Sequence, residues 1–225
     1  MTRYEVEIKS LLGSEENADK LRRSLAEAYA DAKLIAEEKQ LNHYFNSPSD
    51  LGALVQNLAP IMPEKKGEAF KRILEYAKKM SVRTRESNSV VILVIKASVG
   101  DDTSANGVKR VEFECVVPLK LAELDGLLLD SGFTYQAKWC RERQEYGTGD
   151  LKVCIDWTPG YGYMAEFEKI VSDEDALETA REELLSVMDE LGFAELPQDR
   201  LERMFEHYNA HWAEYYGSDK MFVIE

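Results

Sequence analysis

The chain has 225 residues, 44% of them hydrophobic and 31% charged, with a formal net charge of −14. That length fits one domain, or one domain with a helical appendage, and an acidic balance of this size argues against non-specific binding of nucleic acid or anionic membrane. The opening MTRYEVEIKS lacks the apolar run of a signal peptide, and the longest apolar stretch, Val90 to Ile95, falls far short of a membrane span, so a soluble cytoplasmic protein is expected.

Tyr4, Val6 and Ile8 alternate with Glu5, Glu7 and Lys9, and this period of two predicts a strand over about 3–12. Ser14, followed by Glu16 and Asn17, starts a helix to about Ala30 with Leu21, Leu25 and Ala28 at helical spacing. A second strand over 40–45 ends at the turn signal Asn46-Ser47-Pro48, and two helical stretches follow at 49–59 and 64–80, separated by Pro60 and Pro63. The second of them exposes Lys65, Lys66, Lys71, Arg72, Lys78 and Lys79. Ser81–Glu86 and Val90–Ala97 read as a hairpin, Gly100–Gly107 as a polar loop and Val108–Val117 as strand five. A helix over 118–130 leads to strands at 133–146, 151–157 and 163–171, and two acidic helices at 173–191 and 198–216 complete the chain. Tyr215, Tyr216 and Phe222 predict a C-terminal tail that docks.

Residues 172–225 hold 15 acidic and four basic side chains, a net of −11, which leaves −3 for residues 1–171. The expected organisation is therefore a sheet domain over 1–171 with an acidic helical extension over 172–225 packed on it. Eight strands joined largely by hairpins predict an α+β fold, a closed eight-stranded antiparallel barrel with helices outside, because closure removes exposed edges. Cys115, Cys140 and Cys154 sit singly in predicted strands, odd in number and without zinc-site spacing, and read as reduced structural thiols. His207 and His211 share a helix face but lack the general-base glutamate of a zinc-protease motif.

The charged face of the first strand recurs. Glu5/Glu7, Glu112/Glu114 and Glu166/Glu168 each place two carboxylates roughly 7 Å apart on one face, and Arg83/Arg85 and Arg141/Arg143 do the same with positive charge. A solvated face has no need to segregate like charges. Paired carboxylates suit hard divalent ions, and arginines suit phosphate oxygens as bidentate donors. A bound polyphosphate with its metals would satisfy both sets.

Glu5-x-Glu7-x-Lys9 resembles the signature of the CYTH superfamily, the triphosphate tunnel metalloenzymes named for class IV adenylate cyclase and thiamine triphosphatase. The resemblance continues through Asn42-His43-Tyr44-Phe45, Arg83-x-Arg85, Lys96, Arg110-x-Glu112-x-Glu114, Arg141-x-Arg143-x-x-Tyr146, Asp156 and Glu166-x-Glu168, in the family's order. It implies an eight-stranded tunnel in which Glu5, Glu7, Glu112, Glu114, Asp156, Glu166 and Glu168 form the metal-binding side for Mg²⁺ or Mn²⁺. By the same resemblance Lys9, Arg83, Arg85, Lys96, Arg110, Arg141 and Arg143 bind the substrate, and Lys9 and Tyr44 help deprotonate the attacking water. The long Trp157–Tyr163 turn, Arg141 in place of a common lysine, the helices over 49–80 and the acidic tail depart from the pattern.

The implied activity is metal-dependent hydrolysis of inorganic triphosphate, thiamine triphosphate or a nucleoside triphosphate. The alternatives are an adenylate cyclase releasing pyrophosphate from ATP and a non-catalytic polyphosphate or nucleotide binder. His43 could support a nucleotide or simply pack. The expected partner is a small-molecule triphosphate, without nucleic acid or membrane, and the chain is expected as a monomer or homodimer.

Overall fold

The alternation at the start of the chain forms β1 (Tyr4–Gly13), and the Ser14 hydroxyl caps α1 (Glu15–Ala28) by accepting from the Asn17 amide at 3.3 Å. The computed structural model describes residues 4–76, 79–98 and 110–224; the expected polar loop at Gly100–Gly107, the first residues of strand five and Lys78 lie outside the described residues. β2 (Lys33–Asn46) begins well before residue 40, because its polar first half is held from β6 (Thr134–Thr148). There Lys39 pairs with Glu142 at 2.7 Å and the Gln144 amide donates to Glu37 at 2.8 Å, contacts that no apolar periodicity announces.

α2 (Gly52–Leu58), a 3₁₀ turn (Ala59–Ile61) and α3 (Glu64–Tyr76) precede the hairpin β3 (Lys79–Ser87) and β4 (Val90–Ser98). Asn88 and Ser89 form its turn with φ of 47° and 70°, the positive pair that a tight two-residue hairpin loop requires. β5 (Arg110–Val116), α4 (Leu121–Asp130), β6, β7 (Leu151–Thr158), β8 (Gly162–Val171), a 3₁₀ turn (Glu174–Ala176), α5 (Leu177–Leu191) and α6 (Gln198–Tyr215) follow. Among the described residues no helix is long and apolar enough to cross a membrane.

The eight strands run in the order β1-β8-β7-β6-β2-β3-β4-β5. Among the described residues the sheet is not closed into a barrel, which corrects the closed topology expected from the sequence: β1 and β5 stand at its two ends. Both end strands gain other partners instead. The Leu196 amide donates to the Lys9 carbonyl of β1 at 2.7 Å, and the Lys66 ammonium donates to the Glu114 carbonyl of β5 at 2.7 Å. Edge coverage of this kind lowers the demand for closure.

The chain divides into two compact units, residues 1–39 with 140–225, and residues 40–139. In the first, α1 and α5 pack on one face of β1, β8 and β7 and bury Ile8, Leu21, Leu25, Ile155, Phe167, Leu184 and Met188. In the second, α2, α3 and α4 cover one face of β3, β4 and β5 around Leu54, Leu58, Phe70, Leu93, Ile95, Phe113 and Leu124. The C-terminal tail docks in the first unit: the Gly160 amide donates to the Lys220 carbonyl and the Phe222 amide to the Gly160 carbonyl, both at 2.8 Å.

Gly162 opens β8 at φ 73°, and a Cβ there would lie 2.5 Å from the Gly13 carbonyl oxygen at the end of β1. Gly162→Ala is expected to cost about 1–3 kcal/mol of stability through the strained backbone and the forced separation of the two strand ends. Urea unfolding of the variant checks this, and an unchanged midpoint would contradict it.

Candidate active site

The first unit turns most of the charged residues of β1, β6, β7 and β8 to the sheet face opposite its helices. The register pairs Glu7 with Glu168 and Lys9 with Glu166 between β1 and β8, Lys152 with Glu168 and Cys154 with Glu166 between β7 and β8, and Arg143 with Asp156 between β6 and β7. Across these four strands the face carries six carboxylates (Glu5, Glu7, Glu145, Asp156, Glu166, Glu168) and four cations (Lys9, Arg141, Arg143, Lys152). Arg143 forks onto Asp156, Nε to Oδ1 at 2.7 Å and a terminal nitrogen to Oδ2 at 2.6 Å, and also bonds Glu166. Arg141 reaches Asp156 at 3.1 Å. Lys9 bonds Glu7 and, at 2.8 Å, Glu166, while Lys152 pairs with Glu168 at 2.6 Å.

Burial sets the energetics of this network. Desolvation pushes the Glu166 carboxyl up, but Lys9, Arg143 and Arg141 outweigh it and hold its pKa down at about 2. Burial likewise opposes the Arg143 charge, and the Asp156 hydrogen bonds with the Glu166 and Asp156 charges overcome it, raising its pKa above the ordinary arginine value. Burial pushes the Cys154 thiol up to about 12, with Arg143 pulling the other way, so Cys154 stays a neutral thiol on the charged face. Cys115, Cys140 and Cys154 are all free.

The second unit repeats the layout with the opposite sign. Asn42 pairs with Arg85, Tyr44 with Arg83, Ser81 with Lys96 and Val94 with Glu114, placing Arg83, Arg85, Lys96 and Glu114 on one face. Glu112 stands opposite Lys96 and Arg110 opposite Ser98; the side chains of these two β5 residues lie outside the described set. Arg85 Nε donates to Asn42 Oδ1 at 3.1 Å, and one of its terminal nitrogens lies 3.6 Å from Glu114. Arg83 donates to the Tyr44 hydroxyl at 2.8 Å and sits over that ring at 5.6 Å.

The sequence-predicted residues thus fall into two groups. Glu5, Glu7, Lys9, Arg141, Arg143, Asp156, Glu166 and Glu168 share a face of the first unit, and Tyr44, Arg83, Arg85, Lys96 and Glu114 share a face of the second. Lys152 and Glu145 escaped the sequence reading, although each continues a period-two row, Lys152 with Asp156 and Glu145 with Arg141 and Arg143. Asp125 escaped it too, because no periodicity marks an aspartate within an apolar helix.

Among the described residues no three acidic, histidine or cysteine side chains gather closely enough to hold an ion. The donor chemistry fits a hard divalent cation at Glu7 and Glu168, carboxylates directly opposite each other on neighbouring strands, with Lys9 and Lys152 as their cationic neighbours in this structure. His207 and His211 stack at 4.4 Å, with His207 Nε2 3.3 Å from the Tyr215 hydroxyl. His43 lies on the helix-covered face, 5% exposed, against Asp125 at 2.6 Å. Burial pushes the Asp125 carboxyl up, but hydrogen bonds from His43, Thr84 and Tyr135 bring it below the usual aspartate value.

A carboxyl held near pKa 2 in the folded chain against 4.5 as its ordinary value stabilises the fold fully above about pH 5 and loses that contribution as pH falls toward 2. The loss is expected to be on the order of 2–3 kcal/mol. Urea unfolding from pH 7 to pH 2.5 should show it, and Glu166→Gln should flatten the acid limb. The same acid limb in the variant would contradict the assignment.

The CYTH domain family matches residues 3–200, a span that runs through α5 into the start of α6. No curated protein matches. The PH1819 protein from Pyrococcus horikoshii OT3 is similar in structure with a TM-score of 0.59 at 21% identity, over 91% of this chain and 99% of that one. A candidate adenylate cyclase from Vibrio parahaemolyticus is similar with a TM-score of 0.57 at 16% identity, over 92% and 99% of the two chains. HpAC1 from Hippeastrum, a candidate adenylyl cyclase described with a dominant triphosphatase activity, is similar with a TM-score of 0.50 at 15% identity, over 91% and 96%. At these identities the structures share the fold with this chain, and the family match over most of its length agrees with the ordered charged motifs: the chain belongs to the CYTH domain family.

Proposed function

We propose that the chain is a divalent-metal-dependent hydrolase of a small triphosphate-containing molecule, releasing orthophosphate. The observation that carries this reading is the unequal charged face of the first unit, where six carboxylates face four cations and Glu7 stands directly opposite Glu168. The excess of negative charge and the facing carboxylates suit a divalent cation, and the neighbouring arginines suit a phosphate chain. The second unit's face, with three described cations to one described carboxylate, suits an anion by the same reasoning.

Mg²⁺ or Mn²⁺, when bound, would supply Lewis-acid stabilisation of phosphate oxygens and an acidified water. Glu7 and Glu168, with Glu5 next along the same face of β1, would hold it. Arg141 and Arg143, oriented by Asp156, would neutralise charge on the transferring phosphoryl group. Lys9, which donates to Glu7 and Glu166, would orient the attacking water on this face, with a neighbouring carboxylate taking its proton. Water attacks the terminal phosphorus, the new P–O bond forms as the anhydride P–O bond breaks, and orthophosphate and diphosphate leave.

Hydrolysis is favoured over cyclisation on one observation. His43, the sequence's candidate nucleotide contact, is buried against Asp125 on the helix-covered face. The triphosphatase activity described for HpAC1 supports the same direction.

Phosphorus NMR of the chain with Mg²⁺ or Mn²⁺ and, separately, inorganic triphosphate, thiamine triphosphate and ATP tests this reading. Orthophosphate from at least one substrate is expected, abolished by EDTA, with Arg143→Ala and Glu168→Gln each lowering kcat by roughly 10²–10³. Pyrophosphate with cyclic AMP from ATP would replace the reading with a cyclase, and binding without products would leave a non-catalytic receptor.

A further inference from the structure

Asp125 is the exception on α4, an aspartate on the face that also buries Leu121, Leu124 and Leu128. It is 3% exposed, and its carboxylate gathers donors from three strands: His43 of β2 at 2.6 Å, Thr84 of β3 at 2.6 Å and Tyr135 of β6 at 2.8 Å. An ionised carboxylate only accepts, so His43 carries its proton on Nδ1. A carboxylate is costly to bury unless its oxygens are bonded, and a leucine here would have joined the apolar core without that cost. Hydrogen bonds give something apolar packing does not, a fixed direction and register.

The register shows what is being fixed. His43 and Thr84 are partners across β2 and β3, and the flanking pairs are Asn42 with Arg85 and Tyr44 with Arg83. These flanking pairs lie on the opposite face, where Arg85 donates to Asn42 at 3.1 Å and Arg83 to Tyr44 at 2.8 Å. A slip of one residue between the strands would send both arginines to the wrong face. We infer that Asp125 is a positioning residue, which ties His43 and Thr84 together from the helix side and thereby fixes Arg83 and Arg85 on the other side for an anionic ligand. The inference deepens the proposed function and rests on its reading of these arginines as phosphate-binding.

The test uses the full chain as wild type, Asp125→Asn and Thr84→Val, with Leu128→Ala, a fully buried leucine of the same helix, as the control for general destabilisation. Two quantities are read: the ¹H–¹⁵N signals of the arginine Nε–H groups, and the affinity for inorganic triphosphate by calorimetry. In Asp125→Asn and Thr84→Val the Arg85 signal should shift and the affinity fall roughly tenfold, the scale seen when partners that orient ligand-binding groups are lost. Leu128→Ala should lower the melting temperature while moving neither. Thr84→Val keeps the test open should Asp125→Asn fail to fold. Unmoved arginine signals in a folded variant, or equal movement in Leu128→Ala, would overturn the inference. A wild-type chain that does not bind triphosphate would count against the proposed function, and the arginine signals alone would then decide the positioning claim.

Discussion

The structure depends on the hydrogen-bonded ion network in which Arg143 grips Asp156 and Glu166 while Lys9 reaches Glu166 from the neighbouring strand. A strand sends alternate side chains to opposite faces, so burying one face of β1, β7 and β8 beneath α1 and α5 sends Glu5, Glu7, Lys9, Lys152, Asp156, Glu166 and Glu168 to the other, while Lys169 stays on the helix side and bonds Glu183. Like charges crowded there would repel. Cations answer that repulsion at Asp156, Glu166, Glu168 and Glu7, and the described face keeps more carboxylates than cations. The proposed divalent ion would meet that excess of carboxylates.

The second unit shows the same economy with the signs exchanged. Its apolar face is buried by α2, α3 and α4, and the alternate residues of β3 deliver Arg83 and Arg85 to the other side. Asn42 and Tyr44 orient the guanidinium groups through neutral oxygens, and Glu114 lies 3.6 Å from Arg85. Asp125 places negative charge close by, yet on the helix-covered face and already bonded to three donors.

Much of this was legible in the sequence because it rests on period two. The strands carrying Glu5, Glu7 and Lys9, Arg83 and Arg85, and Glu166 and Glu168 announced both their conformation and their shared face. The early start of β2 was not legible, since Lys33–Lys39 has no apolar alternation and is held by polar contacts such as Lys39 with Glu142. Closure was misjudged because hairpin count says nothing about what covers an edge, and here the Leu196 amide and the Lys66 ammonium take up carbonyl groups on the two end strands. Asp125 was hidden because its three donors come from three separate strands, a convergence that only the folded chain displays. His43 carried two meanings in the sequence, and its burial beside Asp125 separates them.

The central claim is that the charged face of the first unit holds a divalent ion beside a phosphate chain. The most direct measurement is anomalous diffraction at the manganese edge from crystals of the full chain grown with Mn²⁺ and a non-hydrolysable triphosphate analogue. The account predicts an anomalous peak between Glu7 and Glu168, with phosphate oxygens on Arg141 and Arg143. A peak elsewhere, or ordered triphosphate with no metal at these carboxylates, would contradict it.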